Sequence, residues 1–298
     1  MNGGANFGLR RAWLRTEAET RMRLQALLLA VGVAVLLTAC SSGPTTPDPG
    51  TPAFLWNAAE RAYHNGDIMK ANDELSELQQ TDNEFSPRAR IWQTVLAGGM
   101  ARGYCELADG YESGGRLKPA SSLEFHKQVT NLRAMAAHAA MDFTQAVHWF
   151  ATRDPSADVQ LAFDLPPGSA ADPAALRKAY AGILMPDAEA QSLETAMVER
   201  GVIRAVCQAN GTEGDSAQAL ERFRAGEVKT PRATFLYAAA KTLFDVSDVF
   251  SANKLDQPQR RRVMLDEALA SLHSSPETTE AAALATKIQA VLKKIPAK

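Results

Sequence analysis

SPRARIWQTVLAGGMARGYCELADGY, residues 86–111, is the stretch whose reading decides the fold. Its apolar residues are Ile91, Trp92, Val95, Leu96, Met100, Tyr104, Leu107 and Tyr111. Spacings of one, three and four lay them along one face of a long helix. Ser86-Pro87 supplies an N-cap and a proline at the first helical position. Gly98, Gly99 and Gly103 interrupt the stripe, and each weakens a helix interior by up to about 1 kcal/mol against alanine. The expected compensation is a neighbouring backbone that approaches closely, or a kink. Gly114-Gly115 and Pro119 then read as a loop.

Outward from this segment the pattern stays helical. Upstream, helices are predicted over 53–64, stopped by Asn65-Gly66, and over 67–79. Downstream, a second long helix is predicted from Ser121 or Ser122 to Phe150, with Glu124 placed for capping. A break falls at 164–172, and further helices are expected over 173–183, 187–208, 216–225, 231–251, 258–272 and 277–293. Asp172-Pro173, Thr230-Pro231 and Ser275-Pro276 repeat the polar-then-proline start. No stretch alternates convincingly with period two, alanine is abundant and aromatics are 7%. The expectation is an all-α fold. A formal net charge of -2 leaves no basic footprint for nucleic acid.

Residues 24–39, LQALLLAVGVAVLLTA, are uncharged and end abruptly. A membrane span needs about 20 apolar residues, so this run has the length of a signal-peptide core. It leads into Leu37-Thr38-Ala39-Cys40, which resembles the lipobox of bacterial lipoproteins. The resemblance implies cleavage before Cys40, acyl chains on its thiol, and anchoring to a bilayer rather than spanning. Residues 41–52, SSGPTTPDPGTP, hold four prolines and two glycines and read as a linker, roughly 40 Å long when extended. Ser41 resembles the residue usual after the cysteine of outer-membrane lipoproteins, so the expected location is the outer membrane, facing the periplasm. Residues 1–21 carry two glutamates and fit a signal peptide poorly; Met22 is the expected translation start.

A pattern recurs in the mature chain. Gly66-Asp67, then Ala71 and Leu75, is matched by Gly214-Asp215, then Ala219 and Phe223. Matching helix starts follow, Ser86-Pro87-Arg88-Ala89 and Thr230-Pro231-Arg232-Ala233. Ala59, Tyr63, Gly66, Asp67 and Ala71 resemble the tetratricopeptide (TPR) pattern, and Cys207, Gly214, Asp215 and Ala219 resemble a degraded copy. The resemblance implies helical pairs, irregular rather than in a uniform 34-residue array, in two halves of about 53–152 and 173–298.

Motifs for chemistry are absent from the sequence: no nucleophile elbow, phosphate loop or zinc helix. His138 and Asp142, one turn apart, could share a metal or a proton, but no third ligand has suitable spacing. Arg260-Arg261-Arg262 reads as a solvated face or a contact for an acidic surface. For Cys105 and Cys207 two readings stand: a disulfide joining the halves, or two buried thiols packed as small hydrophobes. No catalytic residue, metal or cofactor is assigned. The expected function is a lipid-anchored, non-enzymatic scaffold that binds an envelope protein and supports assembly of an envelope complex; the alternative is a periplasmic small-ligand-binding lipoprotein, with a pocket between the halves, that resembles those associated with solute transport systems.

Overall fold

Thr51 starts the first helix, its Oγ1 accepting from the Phe54 N–H at 3.3 Å, with Pro52 in the first turn. In this computed structural model the described residues are 47–153, 158–161, 173–212, 216–225, 229–274 and 278–296. Leu37, Thr38, Ala39 and Cys40, residues 41–46 of the linker, and Gly214-Asp215 lie outside them.

Helix α1, Pro52–His64, ends at Asn65-Gly66, where Gly66 takes φ +79°, a left-handed conformation natural to glycine. Asp67 caps α2, Ile68–Leu78, accepting from Lys70 N–H at 3.2 Å. Ala59 and Ala71 are fully buried and let α1 and α2 lie close. Helix α3, Ser86–Leu117, is the axis of the fold. Its start differs from the predicted cap: Phe85 holds the N-cap position, and Ser86 lies inside the helix. The Ser86 hydroxyl serves the preceding turn, accepting from Asn83 N–H at 3.0 Å.

After a 3-10 turn at Pro119–Ser121, α4, Ser122–Arg153, runs back along α3. There follow β1, Asp158–Gln160; α5, Pro173–Tyr180; α6, Asp187–Ala209; α7, Ser216–Arg224; and β2, Lys229–Pro231. The chain closes with α8, Arg232–Val246, a 3-10 turn at Ser247–Phe250, α9, Pro258–His273, and α10, Thr279–Leu292. Pro49–Lys298 pack as one compact unit.

The fold is all-α, and among the described residues the only strands form a two-stranded antiparallel ribbon in which Val159 faces Thr230. Three-residue strands are too short to show alternation in the sequence. The ribbon places Thr230-Pro231 in β2, so α8 does not begin with a threonine cap as the match to Ser86-Pro87 suggested.

The α3 glycines answer the choice between close approach and kink. A Cβ on Gly99 would stand 2.5 Å from Val202 Cα, one on Gly103 would stand 2.4 Å from the Met197 carbonyl oxygen, and one on Gly201 would stand 2.0 Å from the Gly99 oxygen. Backbone meets backbone where α3 and α6 cross. Gly114 and Gly115 serve the same end rather than a loop, and α3 continues through them to Leu117.

The two segments that the sequence pattern matched pack differently. Helix α6 lies on α3 and touches α7 only lightly, whereas α1 and α2 form a hairpin. Asn210-Gly211 ends α6, with Gly211 at φ +72°. Gly211 thus ends α6 in the same left-handed conformation that Gly66 takes after α1. Ala219 on α7 is fully buried, as Ala71 is on α2.

Candidate functional site

The end of the molecule where α3 stops is assembled by glycines. Gly110 meets the Tyr180 ring, a Cβ on Gly114 would stand 2.0 Å from the Ala179 carbonyl oxygen, and Gly182, at φ +74°, lies against Lys118. A Cβ on Gly115 would stand 2.9 Å from Phe125 Cβ on α4. The segments 110–118, 122–125 and 176–184 thus converge.

Gly99, Gly103, Gly110, Gly114 and Leu117 are spaced four, seven, four and three, which keeps them on one helix face. Helices α6 and α5 cover that face up to Gly114. Leu117 lies one turn further on and is 64% exposed; Leu123, across the turn on α4, is 60% exposed. Tyr180, Ile183 and Leu184 extend the same end. These are five of the seven large hydrophobic side chains exposed among the described residues, the others being Met69 and Val263. Scattered exposed leucines need no explanation, but a cluster points to an interaction surface. Its surroundings carry both signs: Arg116 pairs with Glu112 at 3.4 Å and Lys178 with Glu189 at 2.5 Å, while Lys118 and Glu124 are exposed. No motif in the sequence marks this end. The phase of Leu117 after the glycines was the available signal.

The remaining sequence candidates lie elsewhere. Cys105 and Cys207 are thiols, not a disulfide. Where α3 and α6 run antiparallel, position 99 meets 201–202 and 103 meets 197. Cys105 therefore sits level with residue 195, a dozen positions from Cys207, or roughly 18 Å along the helix. A disulfide needs Cα atoms within about 7 Å. Burial pushes the Cys105 thiol up to about 12, so it presents little thiolate at neutral pH, and Cys207 is fully buried. In a Cys40→Ser chain, a thiol reagent at pH 8 is expected to label both only after denaturation, with the same yield with or without reductant. A yield that depends on reductant would restore the disulfide.

His138 Nδ1 lies 3.1 Å from Asp142 Oδ2 on the outer side of α4. Burial raises the Asp142 pKa, and His138 partly offsets the rise. Nearby, His148 Nδ1 lies 3.0 Å from Glu267 Oε2 on α9, bordering an open groove of about 620 Å³ that Met141 and Val263 also line. No group of three metal-ligating side chains gathers among the described residues. In the triple arginine, Arg261 pairs with Asp248 at 3.2 Å and Arg262 donates to the Ile295 carbonyl at 2.8 Å, so both tie structure together.

The interior holds a polar clamp. Arg102 on α3 donates to Gln208 on α6 at 2.6 Å, and to Thr242 and Asp245 on α8 at 3.2 and 3.3 Å. Burial draws its pKa down, and Asp245 opposes that. Beside it, the cavity bounded by Val95, Gly98, Phe143, Ala205, Phe235 and Ala239 measures about 20 Å³. That is room for about one water. No protein-family model, curated protein or solved structure matches this chain.

Proposed function

We propose that this protein is a lipid-anchored helical scaffold that presents the apolar end of α3 to an envelope protein. The observation that carries the reading is the clustering of Leu117, Leu123, Tyr180, Ile183 and Leu184 at one end of the bundle. The chain enters the helical body at Thr51, and Trp56 packs on Phe85 and Trp92 at the start of α3. Leu117 lies at the other end of this 32-residue helix, about 48 Å away. A tether on Cys40 would join the body at the pole where α1 begins, opposite the end that carries Leu117. That arrangement, and the mixed charges around the apolar residues, favour a protein surface over an anionic lipid surface as the partner.

The test has two arms. Cys40→Ser is expected to release the chain from membranes and abolish processing at that cysteine; unchanged partition and cleavage would overturn the tether. A photo-crosslinking residue at position 117 is expected to give one discrete protein adduct in cells, lost in Leu123→Asp/Ile183→Asp, which replaces only exposed residues. Adducts to lipid alone, or equal adducts from position 88 at the opposite pole, would overturn the docking end.

A further inference from the structure

At the pole where the chain enters, the start of α3 and the end of α4 border an open concavity of about 850 Å³ lined by Asp82, Asn83, Pro87, Arg90 and Arg153. Two guanidiniums contribute to it, from different helices. Arg90 is the unusual one: its side chain is only 7% exposed, yet its carboxylate partner Asp82, 3.0 Å away, is 87% exposed. Burying a guanidinium is costly unless it is paired, and here the pairing charge stands in water at the rim, where another oxyanion can replace it. Arg153 is exposed in the last turn of α4, its guanidinium 5.8 Å from the centroid of the Trp149 ring. Among the described lining residues two arginines stand against one aspartate. The first turn of α3 at its edge has no side-chain cap, so the helix dipole adds to the positive potential.

We propose that this concavity is an oxyanion site for a phosphate group, in which the ligand displaces Asp82 from Arg90 and is held from the open side by Arg153. Guanidinium forks match phosphate oxygens in geometry as well as charge. The site is defined by the helical body alone and does not depend on the apolar end. The phosphate can belong to a lipid head group or to a free solute, and the test separates the two.

The full chain is titrated calorimetrically, at constant ionic strength, with inorganic phosphate and with glycerophosphoglycerol, the deacylated phosphodiester head group. Saturable binding is expected for at least one. Asp82→Asn, which removes the competing carboxylate, is expected to tighten binding about five-fold or more, and Arg153→Gln to weaken it by a similar factor. Both positions are exposed, so circular dichroism is expected to stay unchanged. Preference for the phosphodiester assigns the site to lipid head groups, and preference for inorganic phosphate assigns it to a free solute. No saturable binding, or an Asp82→Asn variant that binds no tighter than the parent, would overturn the proposal.

Discussion

Replacing Gly201 by alanine is expected to lower stability by about 2 kcal/mol, against the sign that helix propensity alone dictates. In an exposed helix interior, glycine to alanine gains up to about 1 kcal/mol. At Gly201 the new methyl would stand 2.0 Å from the Gly99 oxygen and 2.9 Å from the Gly103 nitrogen. Both are backbone atoms of α3, so no side chain can turn aside, and α3 and α6 must separate. Overpacking of this kind costs about 1–3 kcal/mol, and separation also thins the contacts of Val198, Val202 and Met197, all buried at the crossing. For a body of this size 1 kcal/mol moves the melting temperature by about 2–4 °C, so a fall of about 4–8 °C is expected by calorimetry. Gly99→Ala meets the same interface, 2.5 Å from Val202 Cα. One separation relieves both clashes, so the double variant is expected to lose less than the sum. A rise in melting temperature for Gly201→Ala would show that the helices do not touch here.

Trp92→Ala is expected to cost more, about 3–5 kcal/mol, and to act locally. Trp92 is fully buried on α3, with Trp56 and Tyr63 of α1 at ring distances of 5.3 and 5.2 Å; Trp56 in turn stacks on Phe85 at 5.6 Å. This aromatic cluster holds the α1–α2 hairpin to the start of α3. The rest of α3 is held separately by α4 and α6. Hydrogen exchange is therefore expected to lose protection over 52–78 while 94–117 and 187–209 keep theirs. Trp92→Phe, which keeps an aromatic ring in place, is expected to recover most of the loss. Uniform loss across the body would show that the hairpin is not a separate cooperative unit. Under the tethered reading this hairpin also links anchor to scaffold, so Trp92→Ala would loosen the body at its attachment point.

The helices were legible because their signals are local. The stripe from Ile91 to Tyr111, Asn65-Gly66 as a stop and Asp67 as a cap each act within a few residues. The same locality explains the errors. Gly114-Gly115 carries the composition of a loop, but the pair lies inside a helix because Ala179 and Phe125 press against it from distant parts of the chain. Gly214 matched Gly66 by sequence position, whereas the helix stops at Gly211, three residues earlier, beside Asn210. The spacing of two cysteines on separate helices held no information on whether they meet; the crossing at Gly99 and Gly201 keeps them apart.

By itself the amino-acid sequence determined that the chain is helical and where most helices start and stop, because capping, turns and amphipathic spacing are short-range effects written into neighbouring residues. Only the tertiary structure decided which helices touch, and so which leucines remain exposed at the end of α3 and which arginines share a concavity at its start. Those are relations of 90 with 153 and of 117 with 183, residues far apart in the chain. Burial and charge pairing depend on distance in space, which only the packed fold supplies.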